Sequence, residues 1–419
     1  MAAADRSLDS LSRWKLLLLL CAADFMAYVA IFSVPPVLGE VARHFGVDYE
    51  RAGLMMTAYS VVRTAGSLAA GIYSDRFGVK RFVLAGLGLV ATAGYFSAHA
   101  PSFGWLLGCR VLIGMGATMV FIPGLAAAIH LLPRERVNLA SGSFLSSLYL
   151  GMSVALLATP ILAARMGWPR AFELYAAVTV AVGVLFLLLT RGESLRNAPD
   201  AAVNGSPRSS VRTLAGKALL LASGVYFLFL FQTYGLLTWL PEYLKVVRQY
   251  TPPEVGSVSM LLGVVLIPGS VFAGWLSDRV GAWGVAVAGS LICAVCPVLL
   301  VMFPAMTIGQ VSAVVFWKAV GTSMIAVPLA GLLAHLVPAS DSGKAVGLAH
   351  TAGYAGSIVS TYLGGYLLNR FGNYDWSFGI FAVSMIVNVG LLTLLRGPFR
   401  SARAALHGAA KREAAPARA

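Results

Sequence analysis

Charged residues are scarce in this sequence. Asp, Glu, Lys and Arg make up only 11% of the 419 residues, whereas hydrophobic residues make up 58%. A soluble domain of this size needs a charged surface, and this chain has too few charges to provide one. The mean hydropathy of +0.79 points in the same direction. The composition therefore excludes an ordinary soluble protein and indicates one that lies in a membrane.

Cysteines and cofactor motifs are also few. The four cysteines lie in apolar stretches and predict no disulfide framework. Two of them, Cys293 and Cys296, form a C-x-x-C that has neither a second pair nor a neighbouring histidine. No GxxxxGK[ST] loop of an ATP-driven pump is present, and no HExxH, Ser/His arrangement or pair of catalytic acids stands in the apolar stretches. We therefore predict no cofactor, no metal site and no catalytic residue, and a membrane-embedded enzyme is the least favoured function.

Long apolar runs are what the sequence has in abundance. Each is about 18 residues or longer, which is enough to cross roughly 30 Å of hydrocarbon as a helix. Backbone polar groups in lipid must be satisfied within the segment, so we interpret every run as a helix. The first run begins like a secretory signal but continues through Asp24 to Pro36, and is therefore a span. The twelve runs are 14–37, 52–74, 82–99, 103–131, 140–164, 171–190, 217–240, 255–277, 283–303, 307–336, 345–367 and 376–396.

The net charge of +14 is distributed unevenly along the chain. With the N-terminus inside, 21 of the 31 Lys and Arg residues fall on the inner side, 7 on the outer side and 3 within runs. Such an excess marks the cytoplasmic face, so both termini are predicted to be cytoplasmic. The basic tail after Arg396 fits contact with anionic lipid. Because no aromatic interleaving accompanies it, it does not predict nucleic-acid binding.

The second half of the chain repeats the layout of the first. GIYSDRFGVKR begins at Gly71 and GWLSDRVGAWG begins at Gly274, 203 positions later. Gly151 and Gly356 keep nearly the same offset. A polar segment rich in Ser, Pro, Asn and Arg stands between the halves and is expected to be a cytoplasmic linker. The predicted organisation is a six-helix half at 1–190, the linker at 191–216, a six-helix half at 217–396 and a basic tail at 397–419.

The repeated loop resembles the signature between helices 2 and 3 of the major facilitator superfamily, G-x-x-x-D-R-x-G-x-[KR]-[KR]. The first copy matches at Gly71, Asp75, Arg76, Gly78, Lys80 and Arg81. The second copy keeps Gly274, Asp278, Arg279 and Gly281 but lacks the following bases. The resemblance implies an all-α membrane protein with twelve transmembrane helices in two pseudo-symmetric six-helix halves. It also implies that both loops act as a conformational latch, whereas the alternative is a plain positively charged anchor.

Four ionisable residues interrupt the apolar runs, and such residues are costly in lipid and usually face a cavity. Asp24 and Arg63 lie near the middle of helices 1 and 2, and Lys318 is similarly deep in helix 10. The fourth residue is Arg110, and three cations with one acid favour an anionic substrate. Arg63 and Lys318 are the candidate clamps for that anion. Asp24 is the candidate for proton coupling, and the alternative is that Asp24 and Arg63 neutralise each other as a structural ion pair.

Helices 4, 7 and 11 supply further candidates. Arg110 stands in a run, R-x-x-x-G-x-G, that resembles helix 4 of many superfamily members, where the arginine either braces helices or contacts substrate. Gln232 and Tyr234 place a donor and an aromatic face on an otherwise apolar helix 7. Tyr28 and Tyr354 are weaker candidates for the wall of a substrate cavity.

The direction of transport is predicted from helix 5 and its flanks. That helix lacks the G-x-x-x-G-P-x-x-G-G run of drug exporters. The neighbouring PRERVNLASG and GWPRAF resemble uptake-type branches, including the anion:cation symporters and the cyanate/nitrate-type carriers. We therefore predict proton-coupled uptake of a small carboxylate-like organic anion by a monomer in a bacterial inner membrane. Its partners would be the substrate, protons and the lipid bilayer. The alternative is proton-coupled efflux of a drug or metabolite.

Overall fold

The computed structural model describes residues 10–131, 137–190, 216–336 and 342–400. Within these ranges the chain is helical and contains no strand, so the predicted all-α architecture is confirmed. A short 3-10 turn at Pro35–Val37 follows the first helix. The helices are α1 (Ser10–Phe32), α2 (Leu38–Phe45), α3 (Tyr49–Phe77), α4 (Val79–Ala98), α5 (Phe103–Leu131), α6 (Val137–Met166), α7 (Trp168–Leu189), α8 (Lys217–Val246), α9 (Pro252–Ser259), α10 (Leu261–Val264), α11 (Leu266–Val280), α12 (Ala282–Met302), α13 (Ile308–Leu336), α14 (Ser342–Phe371) and α15 (Asp375–Leu394).

Ten helical stretches in the described ranges are long and apolar enough to cross a membrane. One of these joins α9, α10 and α11 over Pro252–Val280. The runs at 52–74 and 345–367 correspond to α3 and α14, which are helices of 29 and 30 residues but are not among the ten. Both are rich in glycine, serine and threonine, which lowers their hydropathy while leaving them helical.

Large apolar side chains are exposed along many of these helices. Leu18, Val271 and Met302, for example, are 68%, 74% and 66% exposed. Apolar surface on this scale would drive association in water, whereas hydrocarbon chains cover it without cost. The outer surface of the helices is therefore that of a protein embedded in lipid.

The chain divides into two compact units. The first comprises Met1–Val47, Ala58–Ala201 and Thr251–Met260, and the second comprises Asp48–Thr57, Ala202–Tyr250 and Leu261–Ala419. The predicted halves place residues 48–57 in the first half and 251–260 in the second, so the units differ from the halves at these two segments.

Close packing within each unit explains this difference. In the second unit, the backbone N–H of Tyr49 donates to Asn369 at 3.2 Å, and an added Cβ on Gly53 would lie 2.6 Å from the carbonyl oxygen of Thr361. In the first unit, an added Cβ on Gly256 would lie 2.5 Å from the carbonyl oxygen of Leu157. Such backbone approaches need glycine and are typical of helix crossings in membranes.

Glycine crossings also recur at matching positions in the two units. In the first unit, Gly86 of α4 and Gly116 of α5 face each other, and a Cβ on either would come within 2.7 Å of the other's carbonyl oxygen. In the second unit, Gly289 of α12 and Gly321 of α13 make the equivalent crossing. The repeated layout in the sequence is therefore a repeated helix packing in the structure.

We expect Gly86→Ala to lower the midpoint of thermal unfolding in detergent and Gly88→Ala to leave it unchanged or slightly raised. The new methyl group of Gly86→Ala would lie 2.7 Å from the carbonyl oxygen of Gly116 and would push α4 and α5 apart, at a cost of about 1–3 kcal/mol. Gly88 is exposed on the same helix, and no atom lies within 4 Å of an added Cβ. Equal midpoints for the two variants would contradict the crossing.

Candidate functional site

Arg63 lies at the centre of an aromatic cluster inside the first unit. Its Nη1 donates to the hydroxyl of Tyr28 and, at 3.1 Å, to the hydroxyl of Tyr59. Its guanidinium carbon lies 4.3 Å from the ring centroid of Phe121, which is a cation–π contact. Arg63 and Phe121 are 8% and 9% exposed, whereas the two tyrosines are each 1% exposed. The cluster therefore holds the positive charge of Arg63 in the protein interior, with a small exposed area at Arg63 and Phe121.

Asp24 is fully buried in the same unit. Its Oδ2 accepts a hydrogen bond from the hydroxyl of Ser147 at 3.0 Å, and its Oδ1 makes no hydrogen bond within the described part of the chain. Arg63 lies close enough to attract the Asp24 carboxyl electrostatically. A buried acid and a buried base thus share one region of the first unit.

Helix periodicity places these side chains together. Asp24 and Tyr28 are four residues apart on α1, and Tyr59 and Arg63 are four residues apart on α3, so each pair shares a face of its helix. Gly151 lets α6 approach α1 closely, because an added Cβ there would lie 2.5 Å from the carbonyl oxygen of Phe25. This approach brings Ser147, one turn before Gly151, against Asp24.

Arg110 braces the end of α1. Its Nη1 donates to the carbonyl oxygen of Ala30 at 3.0 Å and its Nη2 to that of Ile31 at 2.7 Å. These carbonyls belong to the last turn of a helix that ends at Phe32, where the helix dipole attracts a cation. Of the two roles considered for this arginine, the geometry matches the brace.

Lys318 is buried in the second unit, 2% exposed, beside α12. Its carbonyl oxygen accepts hydrogen bonds from Thr322 at 2.9 Å and from the thiol of Cys293 at 3.6 Å. Its ammonium makes no hydrogen bond or ion pair with any residue that the structure describes. Gln232 of α8 donates to the carbonyl oxygen of Cys293 at 3.3 Å and lies in the same region. The second unit therefore contains its own buried cation, in the interior of its helices.

Two other candidate aromatic residues meet in the second unit. The rings of Tyr234 and Tyr354 lie 6.1 Å apart in an edge-to-face arrangement, and His350 lies 6.5 Å from Tyr354. Tyr354 is one turn after His350 on α14. Tyr354 thus contacts both of the other rings. The contacts given above for Lys318 and Gln232 involve α12 and α13 and not these rings.

The two repeated loops, which begin at Gly71 and Gly274, turn at glycine. Gly78 has a φ of +82° and Gly281 a φ of +102°, conformations that other residues rarely adopt. Lys80 donates from Nζ to the carbonyl oxygen of Thr190 at the end of α7, and Arg279 stacks on Trp275 at 4.4 Å. Asp278 and Arg81 are exposed. The side chains of Asp75 and Arg76 and the surroundings of Gly71 lie outside the described part of the structure. Gly274 is partly buried, and an added Cβ there would lie 4.0 Å from the side chain of Val327.

Three members of the Arg63 and Asp24 cluster were missed in the sequence. Tyr59 precedes Arg63 by four residues and could have been found by helical spacing. Phe121 and Ser147 carried no signal, because one is an apolar residue in an apolar helix and the other is one of several serines in SFLSSLY. Their roles depend on which face of α5 and α6 turns toward α1.

The family model of the Major Facilitator Superfamily matches residues 20–329. The chain belongs to this superfamily. It is 24% identical to the "Probable sulfoacetate transporter" of Cupriavidus necator over 92% of this chain and 93% of that protein. It is 26% identical to the "Probable 4-methylmuconolactone transporter" of Cupriavidus pinatubonensis over 82% of this chain and 83% of that protein. This superfamily member is therefore a transporter and not an enzyme.

Solved structures agree on the fold. The chain superimposes with a TM-score of 0.73 on a bacterial homolog of the human lysosomal transporter Spinster, crystallised in an inward-facing and unoccupied conformation. The alignment covers 94% of this chain and 98% of that one, at 15% sequence identity. The predicted superfamily fold is thus confirmed.

Proposed function

We propose that this superfamily transporter takes up a small organic anion together with a proton by alternating access. The observation that carries the proposal is the buried cluster of Arg63 and Asp24 in the first unit, a base and an acid within electrostatic range. The names of two relatives, which denote a sulfoacetate and a methylmuconolactone transporter, support an organic anion as the substrate class.

Arg63 is the proposed anion clamp. A guanidinium offers a planar fork of donors that matches a carboxylate or sulfonate better than a point charge does. Tyr28 fixes one side of that fork through its hydroxyl, and Phe121 supports the guanidinium face at 4.3 Å. Arg63 is therefore held in one orientation before a substrate arrives, which reduces the entropy lost on binding.

The remaining candidates have secondary parts in this proposal. Within the second unit, the candidate substrate-binding residues are Lys318, Gln232, Tyr234 and Tyr354. Arg110 would act as a brace, because both of its Nη groups already donate to the end of α1.

Asp24 is the proposed proton carrier. A carboxyl group surrounded by protein can exchange a proton only when its environment opens to water, which links protonation to the conformational cycle. Protonated Asp24 would leave the positive charge of Arg63 for the substrate, and ionised Asp24 would compete for it. Proton and anion would then cross together, with no net charge moved.

The latch loops and the membrane location complete the proposal. The loops that begin at Gly71 and Gly274 would stabilise one conformation from the cytoplasmic side, with both termini cytoplasmic and the monomer in a bacterial inner membrane. The left-handed glycines Gly78 and Gly281 support tight turns at equivalent positions of the two loops.

The experiment uses protein reconstituted in liposomes that contain a pH-sensitive dye. Pools of organic anions are added outside without an imposed pH gradient, and the internal pH is followed. Internal acidification that depends on the protein is the expected result. Internal alkalinisation would mean that protons move against the substrate, which contradicts symport and supports the efflux alternative. Protein-free liposomes show the leak of each acid.

A further inference from the structure

The hydroxyl of Ser147 has one proton to donate, and two acceptor oxygens lie within hydrogen-bond distance of it. Its Oγ lies 3.0 Å from Asp24 Oδ2 and 2.6 Å from the carbonyl oxygen of Phe144, one turn earlier on α6. A serine hydroxyl is a single donor that can also accept, so it can direct a short, near-linear hydrogen bond at only one of these oxygens at a time. One of these contacts must change its direction or break, depending on whether Asp24 carries a proton.

We propose that Ser147 is a positioning residue that transmits the protonation state of Asp24 to helix α6, an inference that rests on Asp24 being the proton carrier. When Asp24 is ionised, Ser147 donates to Oδ2 and its bond to the Phe144 carbonyl is lost. When Asp24 is protonated, the carboxyl O–H donates to Ser147 Oγ, and Ser147 donates to the Phe144 carbonyl. Ser147 keeps its own proton in both states, so the transported proton is gained and lost only at Asp24.

The switch has a continuous route to Arg63. Phe144 is fully buried, and its ring lies 5.9 Å from the ring of Phe121. An added Cβ on Gly124 of α5 would lie 2.8 Å from the Phe144 ring, so the ring has little room to move without moving α5. Phe121 in turn lies under the guanidinium of Arg63. A shift of the α6 backbone at Phe144 would therefore displace Phe121 and change the position of Arg63, the proposed anion clamp.

Few other ionisable groups face Asp24. Cys21 lies one turn earlier on α1 and interacts with both Asp24 and Ser147, and Arg63 approaches from α3. Arg110 of α5 and Tyr175 of α7 lie beside Ala30, nearer the end of α1. In the part of the chain that is described, α4 and α6 bring no charged side chain to Asp24. The Ser147 hydroxyl is thus the one polar group that touches the carboxyl from α6.

The test compares Ser147→Thr with Ser147→Val, which have nearly the same shape and differ in the hydroxyl. The protonation of Asp24 is followed in lipid, without substrate, through the infrared carbonyl band of its protonated carboxyl, identified by its absence in Asp24→Asn. A hydrogen bond to the charged form favours that form, so Ser147→Val should move the titration of Asp24 to higher pH by about one unit. Ser147→Thr should titrate close to the wild type.

A second measurement addresses transmission to Arg63. The affinity for the anion is measured across the same pH range, and its pH dependence should survive in Ser147→Thr and flatten in Ser147→Val. Identical titration and identical affinity profiles in the two variants would overturn the role of Ser147 while leaving proton coupling intact. Absence of any titrating Asp24 band in the wild type would overturn the proposed roles of both Ser147 and Asp24. Damage to packing would lower the unfolding temperature of both variants alike.

Discussion

Arg63→Met is expected to lower the affinity for the organic anion at least about 30-fold. Methionine keeps the length of the side chain but removes the charge and the fork of donors. Truncating one partner of a buried charge pair costs about 2–5 kcal/mol, and each 1.4 kcal/mol is about tenfold in affinity. Arg63→Lys keeps the charge without the fork of donors, so its affinity for the anion should lie between those of the wild type and Arg63→Met. Equilibrium binding to protein in detergent or nanodiscs measures the difference directly.

The control for this series is Arg170→Met, because Arg170 is exposed at the start of α7 and belongs to no cluster described above. It removes the same charge and should bind the anion as the wild type does. Unchanged affinity in Arg63→Met, with a normal unfolding temperature, would show that the anion is held elsewhere. Lys318→Met would then be the variant to test, since Lys318 is the buried cation of the second unit.

Asp24→Asn is expected to abolish uphill uptake while sparing exchange of substrate for substrate. An amide has nearly the shape of the carboxyl and can still accept from Ser147, but it cannot take up a proton. A pH difference of one unit supplies about 1.4 kcal/mol per proton, enough for about tenfold accumulation of an anion that moves with one proton. The variant should therefore lose that tenfold gradient completely.

Two assays on the same liposomes separate coupling from binding. Accumulation is measured with an inward pH gradient, and counterflow is measured with substrate on both sides and no gradient. Loss of both activities would point to a failure of binding or folding and not of coupling. Accumulation that persists in Asp24→Asn would show that another group carries the proton.

Much of the fold could be predicted from the sequence because lipid imposes strong rules. Apolar runs of sufficient length must become helices, and the repeated loops at Gly71 and Gly274 show that the layout is duplicated. Asp24 and Arg63 stand out as candidates because a charge in an apolar helix is costly. These inferences use properties of single segments, which a sequence displays openly.

Features that depend on how segments meet could not be predicted in this way. The brace formed by Arg110 depends on where α1 ends, and the contact between Ser147 and Asp24 depends on how closely Gly151 lets α6 approach. The interior position of Lys318 beside Cys293 depends on the rotation of α13 about its axis. Rotation and approach are set by packing of whole helices, which hydropathy does not record.

The membership of residues 48–57 in the second unit has a consequence for biosynthesis. Tyr49 donates to Asn369, a partner 320 positions later in the chain. When only the first six-helix half has been synthesised, α8 and α14 do not yet exist, so this segment of α3 lacks the helices it packs against. Contacts of such long sequence separation form late. The start of α3 would therefore be an exposed, protease-sensitive and chaperone-accessible stretch until nearly the whole chain has been synthesised.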